Sequence, residues 1–150
     1  KGTTIIEGAA AEPEVEDLAN FLVKMGARIE GAGTTRMVIE GVKELHGADH
    51  TVIPDRIEAG TFLVAGALQG NDVTVLGALP DHLEALLEKL RATGAHLEEV
   101  QGGIRVRGGG RPRPVDVRTC QRPSANAQCV IVSLKRTHST MWYLAAMRSK

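Results

Sequence analysis

Three places in the chain bring together residue types that could do chemistry. His46-Gly47-Ala48-Asp49-His50 puts two imidazoles and a carboxylate within five residues. Those are metal-ligand types, but a tetrahedral site needs four donors and no distant fourth is marked, so the stretch reads first as a solvated loop. Glu12 and Glu14 flank Pro13 where a helical pattern begins. Such a pair either orients a substrate or cationic side chains, or is simply acid favoured by the helix dipole at about 0.3–1 kcal/mol each. Asp55 and Arg56 open another helical pattern. In one reading Arg56 adds its charge to the ~+0.5 of the helix N-terminus and holds an anion. In the other, Asp55 is an N-cap and Arg56 a solvated first-turn residue, although a basic first turn runs against the dipole. Both readings stay open for each pair.

The remaining candidates are weaker. Gly108-Gly109-Gly110 is followed by Arg-Pro-Arg-Pro rather than a helix, which leaves no phosphate cradle. Arg105, Arg107, Arg111 and Arg113 alternate as on a strand and read as a solvated sheet face rather than a nucleic-acid surface. Cys120 and Cys129 have no zinc-site spacing.

The elements that must position these residues occur twice. Thr3-Thr4-Ile5-Ile6-Glu7-Gly8-Ala9 precedes a helical stretch ending Lys24-Met25-Gly26-Ala27. Asp72-Val73-Thr74-Val75-Leu76-Gly77-Ala78 precedes one ending Ala92-Thr93-Gly94-Ala95. Each Gly-Ala is followed by two short alternating strands, 28–31 and 36–41 in the first copy, 96–100 and 103–108 in the second. A third strand, 50–53 and 114–118, is expected to close each copy as β-α-β-β-β. Val15, Leu18, Leu22 and Met25 should form the apolar stripe of the first helix, with Pro13 in its first turn. Leu83, Leu86, Leu87 and Leu90 should do so in the second, with Asp81 and Glu84 in capping-box spacing. Gly26 and Gly94 stand where a left-handed residue would end each helix.

Between the copies, residues 55–68 begin with Asp55 and Glu58 in the same capping spacing and continue as Phe62-Leu63-Val64-Ala65-Gly66-Ala67-Leu68. Apolar nearly all round, this helix should be buried on most sides. Gly60 and Gly66 cost about 1 kcal/mol each against alanine, so close packing should justify them. The first copy has no such helix before its first strand, and the chain is therefore expected to be a fragment that starts one element late.

Composition sets the class. In 150 residues, 43% are hydrophobic and 24% charged, which is globular usage. Eighteen basic and 18 acidic side chains balance, giving no sign of a nucleic-acid or membrane partner. Two cysteines cannot staple a secreted framework, and neither a signal peptide nor a long apolar run is present, so a cytoplasmic setting is expected. The average conceals a break. Residues 1–119 hold every glycine and every acid, with net charge −5, whereas 120–150 hold neither, with net charge +5. That basic tail is expected to be non-native, from a shifted reading frame or a foreign junction.

Glu12-Pro13-Glu14, Leu18-Ala19-Asn20-Phe21-Leu22, Met25-Gly26-Ala27, Val38-Ile39-Glu40-Gly41-Val42 and above all Val52-Ile53-Pro54-Asp55-Arg56-Ile57-Glu58-Ala59-Gly60-Thr61-Phe62-Leu63-Val64-Ala65 resemble the UDP-N-acetylglucosamine 1-carboxyvinyltransferase family of enolpyruvyl transferases. The resemblance runs from residue 2 to about residue 119. It implies an α/β fold, the inside-out α/β barrel built of repeated βαβ-type units, here incomplete. Residues 1–53 would be the last unit of one lobe and 54–119 the first of the other, with the active site in the cleft between lobes. The implied reaction moves enolpyruvyl from phosphoenolpyruvate to UDP-N-acetylglucosamine in peptidoglycan synthesis, on which cell shape and division depend; no metal or organic cofactor is implied. Arg56, Asp55, Glu12 and Glu14 would then lie near the substrates.

The resemblance also implies what is missing. The lysine and cysteine that engage phosphoenolpyruvate in the family would lie before Lys1. The family's aspartate in Pro-Thr-Asp-Met-Gln would fall where this chain reads Cys120-Gln121-Arg122-Pro123-Ser124-Ala125-Asn126, which has no carboxylate. General-base catalysis needs an acceptor within about 3 Å of the hydroxyl. No catalytic residue is therefore assigned, and the chain alone is expected to be inactive. Two alternatives remain: a 3-phosphoshikimate 1-carboxyvinyltransferase-like enzyme, or a non-catalytic binding module with a basic tail.

Overall fold

The computed structural model describes residues 1–117; the tail beyond, with both cysteines and the expected position of the family aspartate, lies outside the described residues. The chain divides into a compact unit Lys1–Ile53 and a second that begins at Pro54.

The first unit comprises β1 (Thr3–Glu7), α1 (Pro13–Lys24), β2 (Arg28–Glu30) and β3 (Arg36–Glu40). Its antiparallel sheet has the order β1-β3-β2, with Ile5 opposite Val38 and Ile29 opposite Ile39. Pro13 takes the first turn of α1, where its missing N–H is no loss. Gly26, with φ of +100°, turns the chain out of the helix, a conformation that L-residues with a Cβ avoid. The expected apolar stripe is only partly realised. Val15, Leu22 and Met25 are half-buried and Ala19 buried, but Leu18 is 56% exposed. The small Ala19, not Leu18, is the residue of α1 that becomes fully buried. The core of this unit is thin: Ala9, Ala11, Ala19 and Met37.

The second unit comprises α2 (Arg56–Gly66), β4 (Asp72–Leu76), a short 3-10 turn (Pro80–His82), α3 (Glu84–Thr93), β5 (His96–Val100) and β6 (Gly103–Arg107). Its sheet, β4-β6-β5, repeats the order of the first, with Val75 opposite Ile104 and Leu97 opposite Val106. Val73, Val75, Leu97, Ile104 and Val106 pack with Leu63 and Val64 of α2 and Leu86, Leu87 and Leu90 of α3 in one cluster. Gly60 and Gly66 serve the close approach expected of them. A Cβ at Gly60 would stand 2.9 Å from Leu86 Cδ2, and one at Gly66 would stand 2.5 Å from Val106 Cγ1.

Four expectations are corrected. Among the described residues no strand forms over 50–53 or 114–117, so each copy is β-α-β-β as far as it is described; in the first copy the His50 side chain is instead engaged with α1. The helix α2 is buried on one flank only: Leu63 is fully buried while Phe62 is 54% exposed, with Ile57 and Leu68 also open. One three-stranded sheet and one neighbouring helix are too narrow to wrap a helix completely. The capping box at Asp81 is not made: Asp81 falls within the 3-10 turn, and α3 starts after Leu83, which has no side-chain cap. Burial of Leu83 fixes that junction instead. Of the four arginines expected to alternate, only Arg105 and Arg107 lie on a strand. Among the described residues no helix is long and apolar enough to cross a membrane.

Candidate functional site

The residues with candidate roles lie in two pairs, one in each unit. Glu12 is the N-cap of α1, with extended backbone and no capping bond from its side chain; Glu14 follows in the first turn. Both are exposed. The local cause is Pro13, which fixes its own φ near the helical value and keeps the residue before it extended.

Asp55 and Arg56 stand together at the start of α2. Asp55 Oδ1 accepts hydrogen bonds from the backbone N–H of Ile57 at 2.7 Å and Glu58 at 3.0 Å. The capping reading of Asp55 is thus realised. It also changes what the helix end can offer. Two of the N–H groups that an anion would use are already taken by a carboxylate, which leaves the half-buried Arg56 guanidinium as the cationic group of this end. Asp55 and Arg56 thus stand side by side at the start of α2, as Glu12 and Glu14 do about Pro13 at the start of α1.

The histidine-rich stretch is occupied otherwise. His46 Nδ1 lies 3.0 Å from Gly47 O, and His50 Nε2 lies 3.0 Å from Asp17 Oδ1. Among the described residues no group of three or more His, Cys, Asp or Glu is arranged to hold a metal ion.

Two charged arrangements were not marked by the sequence patterns. One is the contact of Asp17 with His50, side chains 33 residues apart. The other is on the outer face of the second sheet, where Arg105 holds Asp72 with two bonds, Nε to Oδ1 at 2.8 Å and Nη2 to Oδ2 at 2.6 Å. That fork pushes the Asp72 carboxyl below its ordinary pKa, first through the Arg105 hydrogen bonding and further through its charge and that of Arg107. The alternating pattern of β4 and β6 does place both residues on one face; only their pairing was hidden.

Comparison with known proteins adds the family context. The family described as EPSP synthase (3-phosphoshikimate 1-carboxyvinyltransferase) matches residues 1–141. A UDP-N-acetylglucosamine 1-carboxyvinyltransferase from Anaeromyxobacter sp. (strain K) is 63% identical over 123 residues, 82% of this chain and 29% of that protein. One from Staphylococcus aureus (strain MRSA252) is 52% identical over the same shares. The crystal structure of the enolpyruvyl transferase NikO from Streptomyces tendae superposes with a TM-score of 0.60 at 30% identity, covering 75% of this chain and 28% of NikO. The chain therefore spans under a third of the length of the relatives it matches.

Proposed function

Since this chain belongs to the EPSP synthase (3-phosphoshikimate 1-carboxyvinyltransferase) family, we propose that it is part of a transferase that moves enolpyruvyl from phosphoenolpyruvate to UDP-N-acetylglucosamine. The observation that carries this reading is the 51–63% identity to relatives bearing that name. It favours the amino-sugar nucleotide over shikimate phosphate as acceptor. Peptidoglycan synthesis, a role in cell shape and division, and a cytoplasmic place of action belong to the same proposal.

In this reading the chain contributes binding and orientation. Both substrates are anionic, and Arg56 supplies positive charge at the start of α2. Asp55 fixes the first turn of that helix by capping it, so that Arg56 is held in a defined place. Glu12 and Glu14 act as oriented acceptors for substrate hydroxyl or amide groups, or for cationic side chains. Neither pair transfers a proton in this account. Because the chain spans 29% of its relatives' length, it is proposed to have no turnover by itself.

The test is growth complementation. The matching segment of the Staphylococcus aureus relative is replaced with residues 1–117 of this chain, and the chimera is expressed in cells depleted of their own UDP-N-acetylglucosamine 1-carboxyvinyltransferase. Restored growth is expected. A chimera that accumulates in folded form but does not restore growth contradicts the reading.

A further inference from the structure

Residues 41–53 contain neither helix nor strand, yet they are fastened to α1 at two points. The backbone N–H of His46 donates to Met25 O at 2.9 Å, just past the helix end. The His46 ring covers Gly26, where a Cβ would come within 3.3 Å of Nε2. Four residues later the His50 ring stacks on Phe21, with centroids 5.1 Å apart and planes inclined by 30°. Its Nε2 lies 3.0 Å from Asp17 Oδ1, and its Nδ1 lies 3.4 Å from Lys24 Nζ. Asp17, Phe21 and Lys24 are four and three residues apart, so they present one face of the helix to the strap. The His50 and Asp17 side chains are only 9% and 14% exposed.

The two partners dictate the state of the ring. An ionised carboxylate can only accept a hydrogen bond, so Nε2 must carry the proton toward Asp17. An ammonium can only donate, so Nδ1 must be bare toward Lys24. Only neutral imidazole in the Nε2–H tautomer satisfies both. An imidazolium would keep Asp17 but turn a second N–H toward the Lys24 ammonium. Lys24 lies on the solvent side and can swing away; Asp17 cannot leave without stranding a nearly buried charge. The other ionisable groups of the strap are Lys43, Glu44, His46, turned to Gly47 O, and Asp49.

We propose that His50 is a latch, locked in the Nε2–H tautomer, that clips the 41–53 strap to α1. Protonation releases Lys24 and leaves the strap clipped by Asp17. The strap ends at Ile53, directly before the second unit begins at Pro54, so the latch fixes where the chain leaves the first unit.

The test uses the 15N-labelled 150-residue chain. At pH 8, long-range proton–nitrogen correlations of the imidazoles should show His50 as a single Nε2–H tautomer. The Nδ1–H form, or an averaged mixture such as free histidine gives, overturns the proposal. In the same samples, amide exchange at residue 46 should accelerate about tenfold in His50→Ala and Asp17→Ala, while the amides of β3 keep their protection. Unchanged exchange at residue 46, or acceleration throughout β3 as well, overturns the latch. When pH is lowered until His50 is protonated, protection at residue 46 should persist; its loss at that point overturns the assignment of the hold to Asp17.

Discussion

Gly66 and Val106 approach so closely that a Cβ on residue 66 would stand 2.5 Å from Val106 Cγ1 and 2.9 Å from Val73 Cβ. Neither neighbour can swing away, because both are branched at Cβ and packed in the core. Gly66→Ala should therefore destabilise the chain by about 1–3 kcal/mol, the strain of overpacking exceeding the gain of about 1 kcal/mol in helix propensity. Gly60→Ala meets the flexible end of Leu86 instead and should change stability by no more than about 1 kcal/mol. Urea unfolding of the two variants checks the contrast.

Adjacent residues of α2 separate its two flanks. Leu63 is fully buried and Leu63→Ala should cost about 2–5 kcal/mol. Phe62 is half-exposed, so Phe62→Ser should shift stability by less than about 1 kcal/mol and raise the solubility limit of the chain. Thermal unfolding and the concentration at which light scattering begins give the two readouts.

Asp55→Ala removes the acceptor for the Ile57 and Glu58 amides. The expected loss is about 0.5–2 kcal/mol, with Asp55→Asn losing less because its side-chain oxygen still caps. Denaturant midpoints of the two variants should fall in that order.

The Asp72–Arg105 fork gives the chain a pH dependence of known sign. The carboxyl pKa is lowered in the folded state, so its contribution is present above the unfolded pKa of about 3.9 and is lost as pH falls through the lower folded value. Wild type should exceed Asp72→Asn in stability at pH 7, and the gap should close in acid. Because the pair is exposed, added salt should also narrow the gap. Paired urea titrations at several pH values and two salt concentrations measure it.

How much was legible in advance depends on the range of the interaction. Signals within one turn of chain were readable: the Asp55 cap, the glycines at 26 and 94, and the need for close packing at Gly60 and Gly66. The duplicated order of elements was readable too, and it reappears as two sheets of identical strand order. Periodicity named Leu18 as core because it counts spacing and not coverage; which stripe residue is covered depends on the neighbours available. The same limit explains α2, whose composition announces burial on all sides while this chain covers only one. Asp81 showed that a capping pattern can yield to burial of the adjacent Leu83. Thr51, Val52 and Ile53 are strand-favouring residue types, but His50 is drawn to Asp17, a partner 33 residues away that no local pattern could reveal. For the candidate site, residue types, helix-end positions and the Asp55 cap were readable; the Asp17–His50 and Asp72–Arg105 contacts, each joining residues 33 apart, were not.

The most direct measurement of the functional account is acceptor-dependent phosphate release from phosphoenolpyruvate by the purified chimera that carries residues 1–117 in the Staphylococcus aureus relative. Release that requires UDP-N-acetylglucosamine, and falls by at least about tenfold in Arg56→Ala, is the predicted result. Release that requires shikimate 3-phosphate instead, or none from a folded chimera, would contradict it.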